Sequence, residues 1–399
     1  MKTIFTTGKS RSAIMKTKVL NGIDNLAGYS EVLRNRRLGI VCNPSAIDRD
    51  GRAVADILNE NFEVTAFFGP EHGFRGDYQN GVHFDDSVDP ITGKPVYALY
   101  GKTARLTAER LTDICTIVYD IQDVGSKAFS YLRTLALLIE DLIELDRELV
   151  VLDRINPLGG VANEGPLAEP EMDRYWGYGV PARFGLTIGE YAKMVNARYF
   201  ENRCRLTVIP CANWKRTMNF EDCGLFWCNP APNLPNPTSA LIYAGCVAFG
   251  QTSISEARGT TRPYEMYGSP AANGHKIADK LNALNLPGVI FRPCAFTAQY
   301  NAFQKYVGET CRGVMLFIND KHRFNSFETG IWMLEIFREM CPDFAIPFAN
   351  GRCASATFDG VLGSADWRTG RQSTTQFIAR GRKESSEFEK SVQEFLLYS

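Results

Sequence analysis

Between residues 38 and 209 the sequence repeats one pattern, in which a short apolar run is followed by a polar or glycine-containing break and then by a segment of helical character. The segment at 132–145 carries leucines at helical spacing, as in a helix that packs one face on a sheet. Strands and helices that alternate in this way are joined by right-handed crossovers. The pattern therefore predicts an α/β fold built on a mostly parallel sheet. The apolar runs, predicted as strands, span residues 38–42, 64–68, 96–99, 114–119, 149–152 and 206–209.

A proline-rich segment interrupts this pattern. Residues 229–237 contain four prolines, which prevent regular helix or strand there. Since 399 residues exceed the size at which a single core keeps growing, we predict two domains, at 1–235 and 236–399. The second is predicted to be a smaller α/β domain. Its predicted helices lie at 239–249, 327–340 and 386–397, and its predicted strand at 314–318.

Charge and composition exclude several classes of function. The formal net charge is −1 and no local basic tract is present, so we expect no nucleic-acid binding. No window reaches the roughly 18 uncharged apolar residues of a membrane span, and the first 20 residues lack the apolar core of a signal peptide. Eleven cysteines, an odd number, fit free thiols in a reducing compartment. The sequence as written predicts a cytoplasmic protein, which would be periplasmic or secreted if a leader had been removed.

The second apolar run breaks abruptly into glycine, proline, acid, imidazole and guanidinium within residues 67–76. Pro70 and Gly73 prevent the strand from continuing. Glu71 and His72 are therefore predicted on a loop at the carboxyl end of a strand. In open α/β sheets, ligands bind in the crevice outside these strand ends. The sequence thus predicts an active site around Glu71.

Polar side chains also follow the other predicted strands. A parallel sheet brings these strand ends to one edge, where they would contribute to the same site. The alternative interpretation is that Asp and Asn cap the helices that follow, which accounts for any one of them. It accounts less well for two neighbouring acids combined with Glu71. The residues are Asn43 after the first strand, Asp120 and Asp123 after the fourth, and Asp153, Arg154 and Asn156 after the fifth.

Acid–base chemistry is the function that these residues fit best. Glu71 lies between a buried strand and glycines, where partial desolvation would keep a proton available for a leaving group. Hydrolysis of a glycosidic bond needs such an acid and commonly a second carboxylate. His72 is interpreted as a group that orients or tunes Glu71. The candidate partners of Glu71 are Asp120, Asp123, Asp153 and Glu164, the last of them in a long loop at 157–185.

Glu256, Arg258 and Arg262 form a further cluster of charge in a glycine-containing loop. Two arginines and an acid suit a clamp for an oxyanion or a carboxylate. A salt-bridge loop between domains is an equally good interpretation of the same spacing.

Metal and nucleotide sites are weaker interpretations. The chain has four histidines, and no two of them stand at a ligand spacing. Cys223 and Cys228 lack the spacing of a zinc site, and residues 101–103 end like a phosphate-binding loop that lacks its first glycine. We predict no metal and no cofactor. A metal site in this region would combine His72, His83, Asp85 and Asp86.

Five separated motifs, in order along the chain, resemble those of the NamZ-like exo-β-N-acetylmuramidases, a family long catalogued as a domain of unknown function. The resemblance extends from about residue 19 to residue 398, which is almost the whole chain. The motifs are GPEHGFRG at 69–76, LYGKT at 99–103, YDIQDVG at 119–125, LDRINPLGG at 152–160 and EARGTTRP at 256–263.

This resemblance implies a Rossmann-like catalytic domain, a smaller C-terminal α/β domain, and an active site in the cleft between them. It implies a bacterial enzyme of cell-wall recycling. Such an enzyme releases β-1,4-linked N-acetylmuramic acid (MurNAc) from the non-reducing end of peptidoglycan fragments such as MurNAc-GlcNAc. The proposed catalytic glutamate of the family falls on Glu71. Many members carry export signals, whereas this sequence shows none.

The implied substrate also suggests roles for the arginines. MurNAc bears a lactyl carboxylate, for which a guanidinium is a suitable partner. The 2-acetamido group of the sugar could itself act as nucleophile, in which case an aspartate would orient its amide nitrogen. A metal-dependent hydrolase and a non-catalytic muropeptide-binding protein are the alternative functions. The predicted substrate-binding residues are Asn43, Arg75, Asp153, Arg154, Asn156, Glu256, Arg258 and Arg262.

Overall fold

The computed structural model describes residues 18–79, 81–101, 104–299, 305–346 and 355–399. Lys102 and Thr103 of the LYGKT motif lie outside these ranges.

Within the described residues, seven strands form one sheet in the spatial order β3-β4-β2-β1-β5-β6-β7. Neighbouring strands are parallel except for β3 and β4. Without β3, this is the strand order of dinucleotide-binding Rossmann folds, with its switch point between β1 and β5. The predicted α/β fold with a mostly parallel sheet is confirmed. The strands are β1 Leu38–Cys42, β2 Val64–Gly69, β3 Ser87–Val88, β4 Pro95–Ala98, β5 Thr116–Asp120, β6 Glu148–Leu152 and β7 Arg205–Ile209.

A second, antiparallel sheet lies in the C-terminal part of the chain. Its order is β8-β10-β9, formed by β8 Met266–Ser269, β9 Val289–Thr297 and β10 Thr310–Ile318.

Helices flank both sheets, and the described part of the chain also contains short 3-10 segments at Leu26–Val32, Val247–Gln251 and Gln393–Phe395. None of the helices in the described ranges has the length and apolar character needed to cross a bilayer. The α-helices are α1 Gly22–Asn25, α2 Val54–Asn61, α3 Ser130–Glu144, α4 Pro170–Asp173, α5 Ile188–Phe200, α6 Phe220–Cys223, α7 Pro237–Cys246, α8 Gly274–Ala283, α9 Ser326–Met340, α10 Ser355–Leu362 and α11 Thr374–Ser391.

Local sequence explains where the main helices begin. Thr187 caps α5 by accepting a hydrogen bond from the backbone of Glu190, and the Glu190 side chain accepts one from the Thr187 backbone, so the two residues form a capping box. The proline-rich segment ends at Pro237, which is the first residue of α7. Proline is favoured at this position because a backbone N–H there would have no partner within the helix. The leucine stripe of α3 is buried against the sheet, as predicted.

The C-terminal part differs from the predictions in several elements: β8, β9, α8 and α10 were not predicted, and α11 begins earlier than predicted. The last helix, α11, begins at Thr374 instead of residue 386, because Ser373 and Gln376 form a capping box before its polar first half. Strand β9 escaped prediction because Arg292 and Pro293 break its apolar run. It is an edge strand, where proline is tolerated.

The two parts of the chain share packing. One hydrophobic cluster includes Tyr131 and Leu135 of α3, Tyr243 of α7 and Phe327 of α9. The C-terminal segment returns to the larger sheet, where Tyr398 donates a hydrogen bond of 2.5 Å to Asp153 Oδ2 and accepts one of 2.9 Å from the Cys211 backbone. The division at 235/236 remains a prediction.

Candidate active site

Among the described residues, three hydrogen-bond donors hold the Glu71 carboxyl group. Oε1 accepts from the Gly81 backbone at 3.2 Å and from the Tyr100 hydroxyl at 3.0 Å. Oε2 accepts from Ser130 Oγ at 2.6 Å. Glu71 is 8% exposed, so the group is nearly enclosed and its orientation is fixed.

Two elements bring these groups together. Strand β2 ends at Gly69, and the next residues turn, closed by a 2.8 Å hydrogen bond from the Gly73 backbone to the Pro70 carbonyl. Ser130 is the first residue of α3, so the carboxyl group of Glu71 lies at the amino end of a long helix. The helix dipole stabilises negative charge at that end.

His72 adopts a left-handed backbone conformation, with φ of +73°. Its Nδ1 lies 3.2 Å from the Tyr78 carbonyl oxygen. Burial lowers the pKa of His72, and Arg258 adds to this effect, whereas Glu71 and the Tyr78 carbonyl oppose it. No hydrogen bond joins the His72 ring to the Glu71 carboxyl among the described contacts, so the predicted tuning of Glu71 would act through charge alone.

The facing wall comes from the C-terminal part of the chain. Arg258 donates a short hydrogen bond from Nη2 to the Tyr264 hydroxyl, and its Nε lies 2.9 Å from Glu256 Oε1. The other oxygen of Glu256 pairs with Lys305 Nζ at 2.7 Å. Burial disfavours the charged form of Glu256, but Lys305 and Arg258 outweigh burial and lower the pKa of this carboxyl. Glu256 is thus a buried support for Arg258.

Backbone strain is concentrated here. Ala257 and Tyr264, on either side of Arg258, have φ of +58° and +64°, and His72 is also left-handed. Non-glycine residues in this conformation cost about 1–3 kcal/mol each and cluster at functional sites.

These walls enclose a small pocket of about 90 Å³. Residues 231–234 of the proline-rich segment close one side, so the segment that was predicted as a domain junction also lines the site. The lining residues are Glu71, His72, Ala128, Phe129, Ser130, Ala231, Pro232, Asn233, Leu234, Tyr243, Arg258 and Tyr264.

Asn43 supports this pocket from behind. Its Nδ2 donates to the Tyr131 hydroxyl at 2.7 Å, and that hydroxyl donates to the Pro230 carbonyl at 2.8 Å. Its Oδ1 accepts from Ser45. Asn43 thus fixes α3 against the proline-rich segment and is not among the described lining residues; its role as a substrate ligand stays a prediction.

Asp120 and Arg154 pair with each other. The Arg154 Nε donates a short hydrogen bond to Asp120 Oδ1, and Nη2 donates to the Ile47 carbonyl at 2.9 Å. Burial raises the pKa of Asp120, although Arg154 opposes this. Both side chains lie at the predicted sheet edge but outside the Glu71 pocket.

Asp123 is a buried carboxyl with one satisfied oxygen. Oδ1 accepts from the Gly125 backbone at 2.7 Å, and Oδ2 has no hydrogen-bond partner among the described residues. Burial raises the pKa of Asp123 to about 7. It does not line the pocket.

The side chains of Asp153 and Asn156 form hydrogen bonds with other parts of the chain. Asp153 accepts from Thr187 Oγ1 at 2.8 Å and from the Gly189 backbone at 2.7 Å, in addition to Tyr398. Asn156 Nδ2 donates to the carbonyls of the loop before α5, at 2.8 and 3.0 Å. These contacts connect β6 to α5 and the C-terminal segment.

Glu164 also contacts other parts of the chain, and it connects its loop to the start of α9. It pairs with Arg183 at 2.5 Å and accepts from the backbone of Ser326 at 2.7 Å, at the start of α9. Within the same loop, Tyr178 is buried in the core and Tyr175 stacks on an arginine, so neither lines the pocket.

The two other candidate arginines also have carboxylate partners. Arg75 pairs with Asp89 at 3.0 Å and with Asp56 at 3.2 Å. Arg262 is 52% exposed and pairs with Glu265 at 3.0 Å. Of the three, Arg258 alone is among the described pocket-lining residues.

No group of three or more His, Cys, Asp or Glu side chains in the described ranges is arranged to hold a metal ion. His83, one of the candidate ligands, stacks on Tyr100 with ring centroids 5.7 Å apart.

Several pocket residues were missed at the level of sequence. Ser130, Tyr243 and Asn233 carry no motif that distinguishes them from ordinary helix and loop residues. Tyr100 lies within the LYGKT motif, and Tyr264 directly follows the EARGTTRP motif. Their positions at these motifs are the sequence signal that points to both tyrosines.

Comparisons with known proteins agree over the whole chain. The family model for exo-β-N-acetylmuramidase NamZ, N-terminal, matches residues 38–238, and the model for its C-terminal part matches residues 241–398. A curated relative, the peptidoglycan β-N-acetylmuramidase NamZ of Bacillus subtilis strain 168, is 37% identical over 391 residues. The match covers 96% of this chain and 92% of the relative.

Two crystal structures of DUF1343 family proteins from Bacteroides fragilis share the fold. One has a TM-score of 0.85 and 32% identity, and the other a TM-score of 0.72 and 25% identity. Each match covers 96% of this chain and 99% of the other.

Proposed function

This chain belongs to the NamZ exo-β-N-acetylmuramidase family, and from this we propose that it hydrolyses peptidoglycan fragments such as MurNAc-GlcNAc. It releases β-1,4-linked MurNAc from the non-reducing end, with Glu71 as general acid.

The observation that carries this proposal is the fixed Glu71 carboxyl group in the pocket between the two parts of the chain. A hydroxyl can donate or accept, so the 2.6 Å contact with Ser130 is equally suited to a carboxyl that carries its proton on Oε2. That proton would pass to the glycosidic oxygen as the bond breaks.

Arg258 is the best-supported reader of the lactyl carboxylate. It lines the pocket with Glu71, whereas Arg75 and Arg262 pair with carboxylates away from the lining. A guanidinium held by Glu256 and Tyr264 is pre-organised, so little entropy is lost when it binds an anion.

The test is Glu71→Gln, which keeps the shape of the side chain but cannot release a proton. We expect MurNAc release from MurNAc-GlcNAc, followed by chromatography, to fall about 10²- to 10⁴-fold. Glu60→Gln is the matched control, because Glu60 is an exposed residue of α2 paired only with Arg52 among the described residues. Near-native turnover by the Glu71→Gln variant would show that Glu71 is not the acid.

Two further outcomes concern the alternative functions. Activity should be unchanged by EDTA, and loss on chelation would indicate a metal-dependent hydrolase. If the wild-type protein binds the disaccharide and releases nothing, it is a binding protein.

A further inference from the structure

We propose that His72 is the catalytic base, whose Nε2 accepts a proton from the water that attacks the anomeric carbon, so that hydrolysis inverts the anomeric configuration. This inference rests on the proposed function of the Glu71 pocket and supplies the second catalytic group.

The hydrogen bond of the ring determines its tautomer. A carbonyl oxygen only accepts, so the 3.2 Å contact with Tyr78 requires the hydrogen to be on Nδ1. In the neutral ring, Nε2 then carries the lone pair. Nε2 has no hydrogen-bond partner among the described residues, and His72 lines the pocket. The ring therefore has a free proton acceptor at the site.

The surroundings favour the neutral ring. Burial and the nearby Arg258 lower the pKa of His72, and they outweigh the opposing effects of Glu71 and the Tyr78 carbonyl. The other titratable groups that line the pocket are the hydroxyls of Tyr243 and Tyr264. Burial raises the pKa of both, so they stay neutral. At neutral pH the imidazole is thus ready to accept a proton.

The backbone holds the ring in place. His72 has φ of +73°, and the loop is closed by a second hydrogen bond, of 3.3 Å, from the Tyr78 backbone to the His72 carbonyl. Together with the ring contact, this makes a reciprocal pair between the same two residues. A strained conformation that is fixed from both ends is typical of residues whose orientation matters for function.

None of the four acids that were candidates for this role is among the described residues that line the pocket, and three of them are engaged elsewhere. Asp120 pairs with Arg154, Glu164 pairs with Arg183, and Asp153 bonds Tyr398. Among the described lining residues, Glu71 is the one carboxylate and His72 the one imidazole. The proposal therefore assigns the acid to Glu71 and the base to His72.

The step balances as follows. The water oxygen bonds to C1 of MurNAc as one of its protons passes to His72 Nε2. The C1–O bond breaks, and its electron pair goes to the leaving oxygen of GlcNAc, which takes the proton of Glu71. The products are α-MurNAc and GlcNAc, with an imidazolium and a carboxylate whose protonation states are restored by solvent. Attack by one water from the face opposite the leaving group inverts the configuration.

The first test uses the wild-type enzyme. Proton NMR within the first turnovers on MurNAc-GlcNAc should show α-MurNAc before mutarotation produces the β form. β-MurNAc as the first product would mean retention, and would overturn the proposal without affecting the assignment of Glu71.

The second test separates acid from base with 2,4-dinitrophenyl β-MurNAc, whose leaving group needs no protonation. Glu71→Gln should keep most of its rate on this substrate, whereas His72→Asn should lose about 100-fold or more on both substrates. Asparagine tolerates the left-handed backbone, and its amide can donate a hydrogen bond, so the fold should persist, as checked by thermal unfolding. A folded His72→Asn variant with more than a tenth of the wild-type rate on either substrate would refute the role of His72.

The third readout is the pH profile, which a purely structural residue would not set. Wild-type kcat/KM on the dinitrophenyl substrate should rise with pH as His72 loses its proton, in a step below the ordinary histidine range. The residual activity of His72→Asn should lack this step. A step that persists in the variant would identify another base, and no MurNAc release by the wild type at any pH would refute the proposed function itself.

Discussion

The hydroxyl oxygen of Ser130 lies 2.6 Å from Oε2 of Glu71, so residues 59 positions apart in sequence meet at the end of β2 and the start of α3. The contact joins the loop that carries Glu71, the proposed acid, to the amino end of α3, where the helix dipole stabilises negative charge. It is one of three hydrogen bonds that give the carboxyl group a single orientation.

Ser130→Ala should reduce kcat more than it raises KM, because the missing hydroxyl orients Glu71 and does not enlarge the sugar site. Losing a hydrogen bond to a group that becomes charged costs about 1.5–3 kcal/mol, which corresponds to about 10- to 100-fold in rate. Steady-state kinetics on MurNAc-GlcNAc would measure this. Thr134→Ala, one turn further along α3, is the control and should stay within about twofold of wild type. Equal losses in both variants would show a general effect on the helix.

Arg258→Lys should weaken recognition of the lactyl carboxylate, because lysine keeps the charge but lacks the planar fork of donors. We expect kcat/KM on an aryl β-MurNAc to fall about 10- to 100-fold, by the loss of one charge-assisted hydrogen bond. The rate on the matching aryl β-GlcNAc, which has no lactyl group, should change much less.

The control for this comparison is Arg262→Ala in the same motif. Arg262 is 52% exposed, and exposed ion pairs contribute little, so its substrate preference should match the wild type. If Arg258→Lys lowers both substrates equally, the arginine supports the pocket and does not read the carboxylate.

Asp123→Asn should change how stability depends on pH. Burial raises the pKa of Asp123 to about 7 in the folded protein, against an ordinary value of 3.8 for aspartate. The folded state therefore binds the proton more tightly, so the contribution of Asp123 to stability is present at low pH and is lost as pH rises towards 7. Because asparagine cannot ionise, the Asp123→Asn variant should not lose this contribution to stability as pH rises.

Urea unfolding at pH 5 and pH 8 measures the effect. Relative to wild type, Asp123→Asn should gain on the order of 1–4 kcal/mol between these two pH values. Asp113→Asn, at an exposed position paired with Arg37, should show no such gain. Parallel pH dependences of Asp123→Asn and wild type would mean that Asp123 is already ionised in the folded protein at pH 5.

The larger sheet could be predicted because its central strands β1, β2, β5 and β6 are buried on both faces and read as apolar runs separated by breaks. The lateral order could not be derived from the runs themselves, since periodicity does not state which strands are neighbours. In the smaller sheet, β9 carries charged and proline residues along a partly exposed edge. It lacks the apolar continuity on which the prediction depended.

Glu71 could be located because the break in chain propensity after β2 is local. The residues that surround Glu71 in space could not be located from the sequence in this way. Asp120 and Arg154 both lie at strand ends, as predicted, yet they pair with each other across 34 residues. Arg258 and Tyr264 reach the pocket from the far part of the chain. Contacts between residues so far apart in the sequence depend on tertiary packing, which a local sequence pattern does not predict.

The hydrogen bond between Tyr398 and Asp153 has a consequence for anyone who wishes to study one half of this protein by itself. A fragment that ends at residue 235 would retain the larger sheet and Glu71. It would lack Tyr398, so Asp153, directly after β6, would lose the hydrogen bond from the Tyr398 hydroxyl. It would also lack the Arg258 and Tyr264 side of the pocket. We therefore expect the proposed activity only from a chain that contains both halves, since each contributes residues to the pocket.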